Sequence, residues 1–178
     1  MKQRFSKRTR LVSALLTLAM VFTFLPFSAF AEVQTYVPLY KFPDETFQKY
    51  LEQFDKDDDT FLSTAERNAV TEIDVHEKNI TSLKGIELFP NLKKLDCHTN
   101  QLTELDVSKN TALTYLDCGD NQLTSLDLQY NTELMKLFCY GNNLSSLDVS
   151  NNTKLVRLDC HGNDLSSLNV RQDRKSVV

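Results

Sequence analysis

From Leu92 onward the chain repeats itself every 21 residues, and that period restricts what it can fold into more than any other feature. Leu92, Leu113, Leu134 and Leu155 share one phase; Leu95, Leu116, Leu137 and Leu158 share a second; Leu102, Leu123, Leu144 and Leu165 share a third. A unit this short cannot enclose its own apolar face, so successive units must stack into a solenoid with one continuous core. Within a unit the alternation around Leu95, Asp96 and Cys97 marks a short strand, with Leu95 and Cys97 inward and Lys94, Asp96 and His98 outward. Stacking places these strands in a parallel sheet at about 4.8 Å spacing. The rest of the unit has no room for a long helix, which predicts a convex side of extended or 3₁₀ structure.

The pattern L-x-x-L-x-C-x-x-N-x-L, held over 92–170, resembles the leucine-rich repeat consensus with Cys at the last strand position. The expected fold class is therefore an α/β solenoid, a right-handed leucine-rich repeat coil with its parallel sheet on the concave face. A weaker unit over 73–91, built on Ile73, Val75, Ile80, Leu83 and Ile86, lies about 22 residues ahead in phase. It reads as an atypical first repeat.

Two polar columns and one thiol column accompany the leucines. Asn100, Asn121, Asn142 and Asn163 follow the strand, where a buried amide can bond backbone groups that would otherwise cost about 1–3 kcal/mol each. Asn110, Asn131 and Asn152 are expected to do the same at the opposite corner. Cys97, Cys118, Cys139 and Cys160 occupy an inward apolar phase. Side chains stacked in register give poor disulfide geometry, so free thiols are expected. Zinc held by Cys97, His98, Cys160 and His161 is excluded, because each Cys points in while its His points out, and the pairs lie three units apart.

Residues 55–66 match a twelve-residue EF-hand loop. Asp55, Asp57 and Asp59 stand at positions 1, 3 and 5, Phe61 offers a carbonyl at 7, Ser63 stands at 9 and Glu66 at 12. Phe47, Tyr50, Leu51 and Phe54 line a preceding helix that starts near Asp44, and Ser63 with Glu66 forms a capping box opening a second helix through Ile73. Position 6, usually Gly for a left-handed turn, is Thr60, at a cost of about 1–2 kcal/mol. The expectation is a weak structural calcium site; the alternative is an acidic, solvated cap without metal. The helix–loop–helix over 42–72 would cover the apolar end of the first repeat.

Upstream, residues 1–31 read as a signal peptide. Five basic residues and no acid precede a short apolar stretch, and Ala29 and Ala31 end it. Removing it takes the formal net charge from −4 to −9, which argues against nucleic acid as a partner. The mature chain is expected to be secreted or displayed at the cell surface, with no transmembrane segment. Residues 32–41 read as a linker. The tail 171–178 abandons the repeat, which suggests a fragment of something longer.

As a whole, 42–170 resembles the cap-plus-repeat modules of bacterial surface leucine-rich repeat proteins, including the internalin-like group. The resemblance implies an EF-hand-like helical cap and a binding role toward a protein or glycan. The outward strand positions supply the candidate face: Lys94, Tyr115, Lys136 and Arg157; Asp96, Asp117, Phe138 and Asp159; His98, Tyr140 and His161. Aromatic and basic residues in such a patch suit an interface. A structural spacer within a larger surface protein is the alternative. No catalytic constellation is present in the sequence, and the His–Asp pairs recur because the unit recurs.

Overall fold

The computed structural model describes residues 35–170; the signal-peptide and tail readings lie outside the described residues. Strand β1 (Val37–Pro38) and a 3₁₀ turn (Leu39–Lys41) lead to helix α1 (Glu45–Leu51) and a second 3₁₀ turn (Glu52–Phe54). Strand β2 (Phe61–Leu62) and helix α2 (Thr64–Ala69) complete the cap. The coils follow as β3 (Glu72–Asp74), a 3₁₀ turn (Ile86–Leu88), β4 (Lys94–Asp96), β5 (Tyr115–Asp117), β6 (Lys136–Phe138), β7 (Ser146–Asp148), β8 (Arg157–Asp159) and β9 (Ser167–Asn169).

The concave sheet is parallel, in the order β3-β4-β5-β6-β8, and its register follows the repeat: Leu95 pairs Leu116, Leu116 pairs Leu137, and Leu137 pairs Leu158. Leu95, Leu116 and Leu137 are fully buried, as are Cys97, Cys118 and Cys139. On the convex side β7 and β9 form a second parallel ladder, while the corresponding segments of earlier coils are not strands.

Each ladder Asn ties its own coil to the one before. Asn121 donates to the carbonyls of Cys97, Cys118 and Gly119 at 3.0–3.2 Å, and its Oδ1 accepts from the Leu102 N–H at 3.0 Å. Asn131 donates to the carbonyls of Val107 and Asn110, and Asn152 repeats this one coil later. The four thiols are free, and Cys160 is the least enclosed. Burial pushes the Cys139 thiol up to about 12 and raises Cys97 and Cys118 well above the ordinary thiol range.

Three boundaries differ from the sequence reading. Helix α2 stops at Ala69 rather than running through Ile73, because Glu72–Asp74 is drawn into parallel pairing with Lys94–Asp96. Residues 72–74 therefore belong to the first coil, although the cap was expected to extend to 72. The segment read as a linker instead contributes β1, which pairs antiparallel with β2. Phe61 and Leu62 of the loop, which a second EF-hand would pair with, bond to Val37 and Pro38 instead.

Asp44 bolts the cap to the first coil. Its Oδ1 caps α1 by accepting from the Thr46 and Phe47 N–H groups, and its Oδ2 accepts from the Thr81 N–H and hydroxyl. Phe47, Leu51, Val70 and Ile73 are buried with Phe42 and Phe89 behind this joint. No helix among the described residues is long and apolar enough to cross a membrane.

Candidate functional site

The strand positions that face outward line up across the concave sheet because the ladder is in register. A continuous row of side chains starts in the first column and takes in Phe138 of the middle one. Glu72 holds Lys94 at 2.6 Å, the Lys94 ammonium lies 5.7 Å from the Tyr115 ring centroid, and Tyr115 and Phe138 sit 5.6 Å apart. The Arg157 guanidinium closes the row 4.8 Å from the Phe138 centroid. Cations against both aromatic rings add attraction to their packing and hold them in place. Lys136 stands exposed in the first column, between Tyr115 and Arg157.

The third column is a row of flat rings. His76 stacks on His98 with centroids 4.8 Å apart, and Tyr140 stacks on His161 at 5.3 Å. Between them the column holds Gly119, and a Cβ there would meet the Tyr140 ring at 2.4 Å. Glycine is thus the residue that lets Tyr140 lie against the sheet. Burial and the carboxylates of Asp117, Asp120, Asp96 and Asp159 push the Tyr140 phenol up to about 12, so it stays a hydrogen-bond donor across the physiological range.

The middle column is carboxylate: Asp74, Asp96, Asp117 and Asp159, interrupted by Phe138. Asp74, Asp96 and Asp159 each hold the ring nitrogen of the His two residues on, at 2.5–2.6 Å. Asp117 has no such partner and departs from the sequence reading, which placed it on the open face. It is buried, accepts from the Gly119 N–H, and burial together with the nearby Asp96 charge raises its carboxyl. It supports the face rather than offering itself to a ligand. Glu72, Asp74 and His76 extend the three columns into the first coil and were missed in the sequence. The signal was the 22-residue offset of that coil.

The cap loop gathers its acids. One carboxylate oxygen each from Asp55, Asp57 and Glu66 lies within 4.8 Å of the others. Thr60 adopts φ 72° and Asp58 φ 58°, so the left-handed turn forms without glycine. Asp55 accepts from the Asp59 and Thr60 N–H groups, and Asp59 from that of Phe61. Burial and the neighbouring acids raise the carboxyls of Asp55 and Asp59. Burial would also raise Glu66, but the N–H groups of Lys56 and Ser63 and the Ser63 hydroxyl outweigh it and lower its carboxyl. Ser63 and Glu66 form the reciprocal capping box at the start of α2.

Residues 90–130 match the family model for leucine-rich repeats, two copies. Internalin J of Listeria monocytogenes serotype 4b (strain F2365) is 38% identical over 71 residues, which is 39% of this chain and 8% of that protein. The solved functional domain of InlJ from Listeria monocytogenes, which includes a cysteine ladder, superposes with a TM-score of 0.65 at 32% identity. That match covers 78% of this chain and 36% of that one. The internalin InlF from L. monocytogenes strain 4b F2365 gives a TM-score of 0.66 at 27% identity, over 75% of this chain and 45% of that one. The chain therefore spans less than half the length of each of these relatives.

Proposed function

Since this chain is an internalin-like leucine-rich repeat protein, we propose that it is a recognition module that binds a protein or glycan ligand through its concave face, outside the cell. The observation that carries this reading is the row Lys94, Tyr115, Phe138 and Arg157, in which cations hold two half-buried aromatic rings in fixed positions on a parallel ladder. Pre-positioned aromatics lose little conformational entropy when a ligand arrives, and Tyr and Arg are the residues most often found to dominate interfaces. The rings of Tyr140 and His161 extend the same surface, with carboxylates beside them able to accept from hydroxyl or amide donors. The role is one of binding, without a catalytic step.

The test is a triple variant, Tyr115→Ala with Phe138→Ala and Tyr140→Ala, assayed for retention on extracellular-matrix proteins and on a glycan array. Loss of retention with an unchanged circular dichroism spectrum supports the reading. Unchanged retention by the folded variant overturns it and favours a spacer role.

The same proposal gives the cap a structural calcium ion. Asp55, Asp57, Asp59, Ser63 and Glu66 would supply side-chain oxygens and Phe61 a carbonyl, the hard oxygen donors this cation takes. The gathered acids and the left-handed Thr60 fit that role. Calcium would neutralise carboxylates that now repel one another and stiffen the joint between cap and coils. The melting temperature should rise with calcium over chelator in the wild type and not in Asp55→Ala. An equal shift in both, or none in the wild type, counts against it.

A further inference from the structure

We propose that His76, His98 and Asp96 form a binding site for a divalent transition metal, zinc being the best match, at the cap end of the concave sheet. One ligand atom from each of the three lies within 4.8 Å of the other two. The ladder creates this grouping. Asp74 pairs with Asp96 in register, and the bond from the Glu77 N–H to the His98 carbonyl carries the pairing onward, so two Asp-x-His segments stand side by side.

The donor set selects the metal. Two imidazoles and one carboxylate are nitrogen-rich and of intermediate softness, which suits zinc, whereas calcium and magnesium take all-oxygen shells. In each ring Nδ1 is engaged by a carboxylate, His76 by Asp74 at 2.5 Å and His98 by Asp96 at 2.6 Å. With the carboxylate accepting, Nδ1 carries the proton and Nε2 keeps its lone pair for a metal. A carboxylate behind a metal-bound imidazole is the usual orienting arrangement. Asp74 acts only by positioning His76. Asp96, by contrast, must release His98 Nδ1 and turn its carboxylate to the ion, because an oxygen bonded to Nδ1 lies on the far side of the ring from a metal on Nε2.

Room and charge agree with this. A tetrahedral shell with bonds of about 2.0–2.1 Å brings its ligand atoms to about 3.3 Å from one another, so the three groups must draw together. The side chains of His76 and His98 are 44% and 23% exposed, which leaves both rings free to turn out of their stacked position. The ion would also neutralise part of the carboxylate column Asp74, Asp96 and Asp117, whose members face one another across adjacent strands. Three protein ligands leave a fourth position open on an exposed surface. The pattern does not extend along the sheet: the next coil has Gly119 at the His position, and His161 stacks on Tyr140 instead of a second imidazole.

The chain contains three His in all, so the site can be read ring by ring. The full chain is titrated with zinc by calorimetry and by NMR of the imidazole resonances. One zinc per chain is expected, with His76 and His98 resonances shifting and those of His161 unmoved. His76→Gln and His98→Gln should each weaken binding at least tenfold, and Asp74→Asn about tenfold, within the range seen for orienting groups. His161→Gln and Asp55→Ala should bind as the wild type does, and excess calcium should not displace the zinc. No stoichiometric uptake, uptake unchanged in both His76→Gln and His98→Gln, or movement of His161 alone would overturn the proposal. Should a variant fail to fold, the ring shifts of the wild type decide the matter by themselves.

Discussion

Glu77, Thr99, Asp120, Gly141 and Gly162 occupy one phase of the coil, just after the strand, and all five have positive φ. Only two of them are glycine. A left-handed backbone costs a β-branched residue about 1–2 kcal/mol, so Thr99 is a strained member of an otherwise permitted column. Thr99→Gly should relieve that strain and lose about 0.4–1 kcal/mol to the freer unfolded chain. The expected net gain is about 0.5–1 kcal/mol, read as a higher urea midpoint at unchanged slope. Asn121 makes the opposite case. Asn121→Ala removes the acceptor of the Leu102 N–H and the donor shared by three carbonyls, all buried. The cost should be about 3 kcal/mol in the same assay, since orphaned buried groups lose about 1–3 kcal/mol each. The Asn column was visible in the sequence because one residue type fills it in all four 21-residue coils. The left-handed column was hidden, because Thr and Asp hold it in two of those coils and backbone torsion has no letter of its own.

Among elements, α1 depends on a side chain that also serves its neighbour. Asp44→Ala removes the cap of α1, worth about 1 kcal/mol, and strands the Thr81 N–H. A loss of about 2–3 kcal/mol is expected, with the cap losing hydrogen-exchange protection before the coils do. Four hydrogen bonds outweigh burial and lower the Asp44 carboxyl. The stability it contributes is therefore complete at neutral pH and lost as pH falls through that lowered value. Asp55 and Asp59 work with the opposite sign. Their raised carboxyls mean that the folded loop holds protons more tightly than the unfolded chain, so in chelator acidification stabilises the loop as pH falls through the raised values. Calcium bound as proposed would compete with the same protons, and the gain should vanish. Melting temperature against pH, with calcium and with chelator, checks this; a variant carrying Asp55→Asn and Asp59→Asn should show neither trend. The capping box of α2 was legible as Ser63 followed three residues later by Glu66. The end of α2 and the strand β1 were not, because both are set by partners remote in sequence: Lys94–Asp96 for one, Phe61–Leu62 for the other.

For the whole molecule, the 21-residue period is a mechanical rule as well as a sequence pattern. Excising residues 113–133 would bring Leu137 opposite Leu95 and leave every ladder in phase, so a shorter, less stable solenoid should still melt cooperatively. Excising 114–133 shifts the downstream coils by one residue and turns their leucines outward. That version should lose its cooperative transition by circular dichroism. The stack and its inward columns could be read from the period alone, but the condition of the concave face could not. Gly119 and Tyr140 look like interruptions in a column of rings until one is seen lying on the other, and Asp117 is buried in a phase where Asp96 remains partly open. The in-register pairing has a further consequence, for how the chain is made. Each concave strand meets a partner only 21 or 22 residues earlier. A chain emerging from synthesis can therefore add its coils in order, each new coil supplying the Asn that closes the backbone of the one just before it.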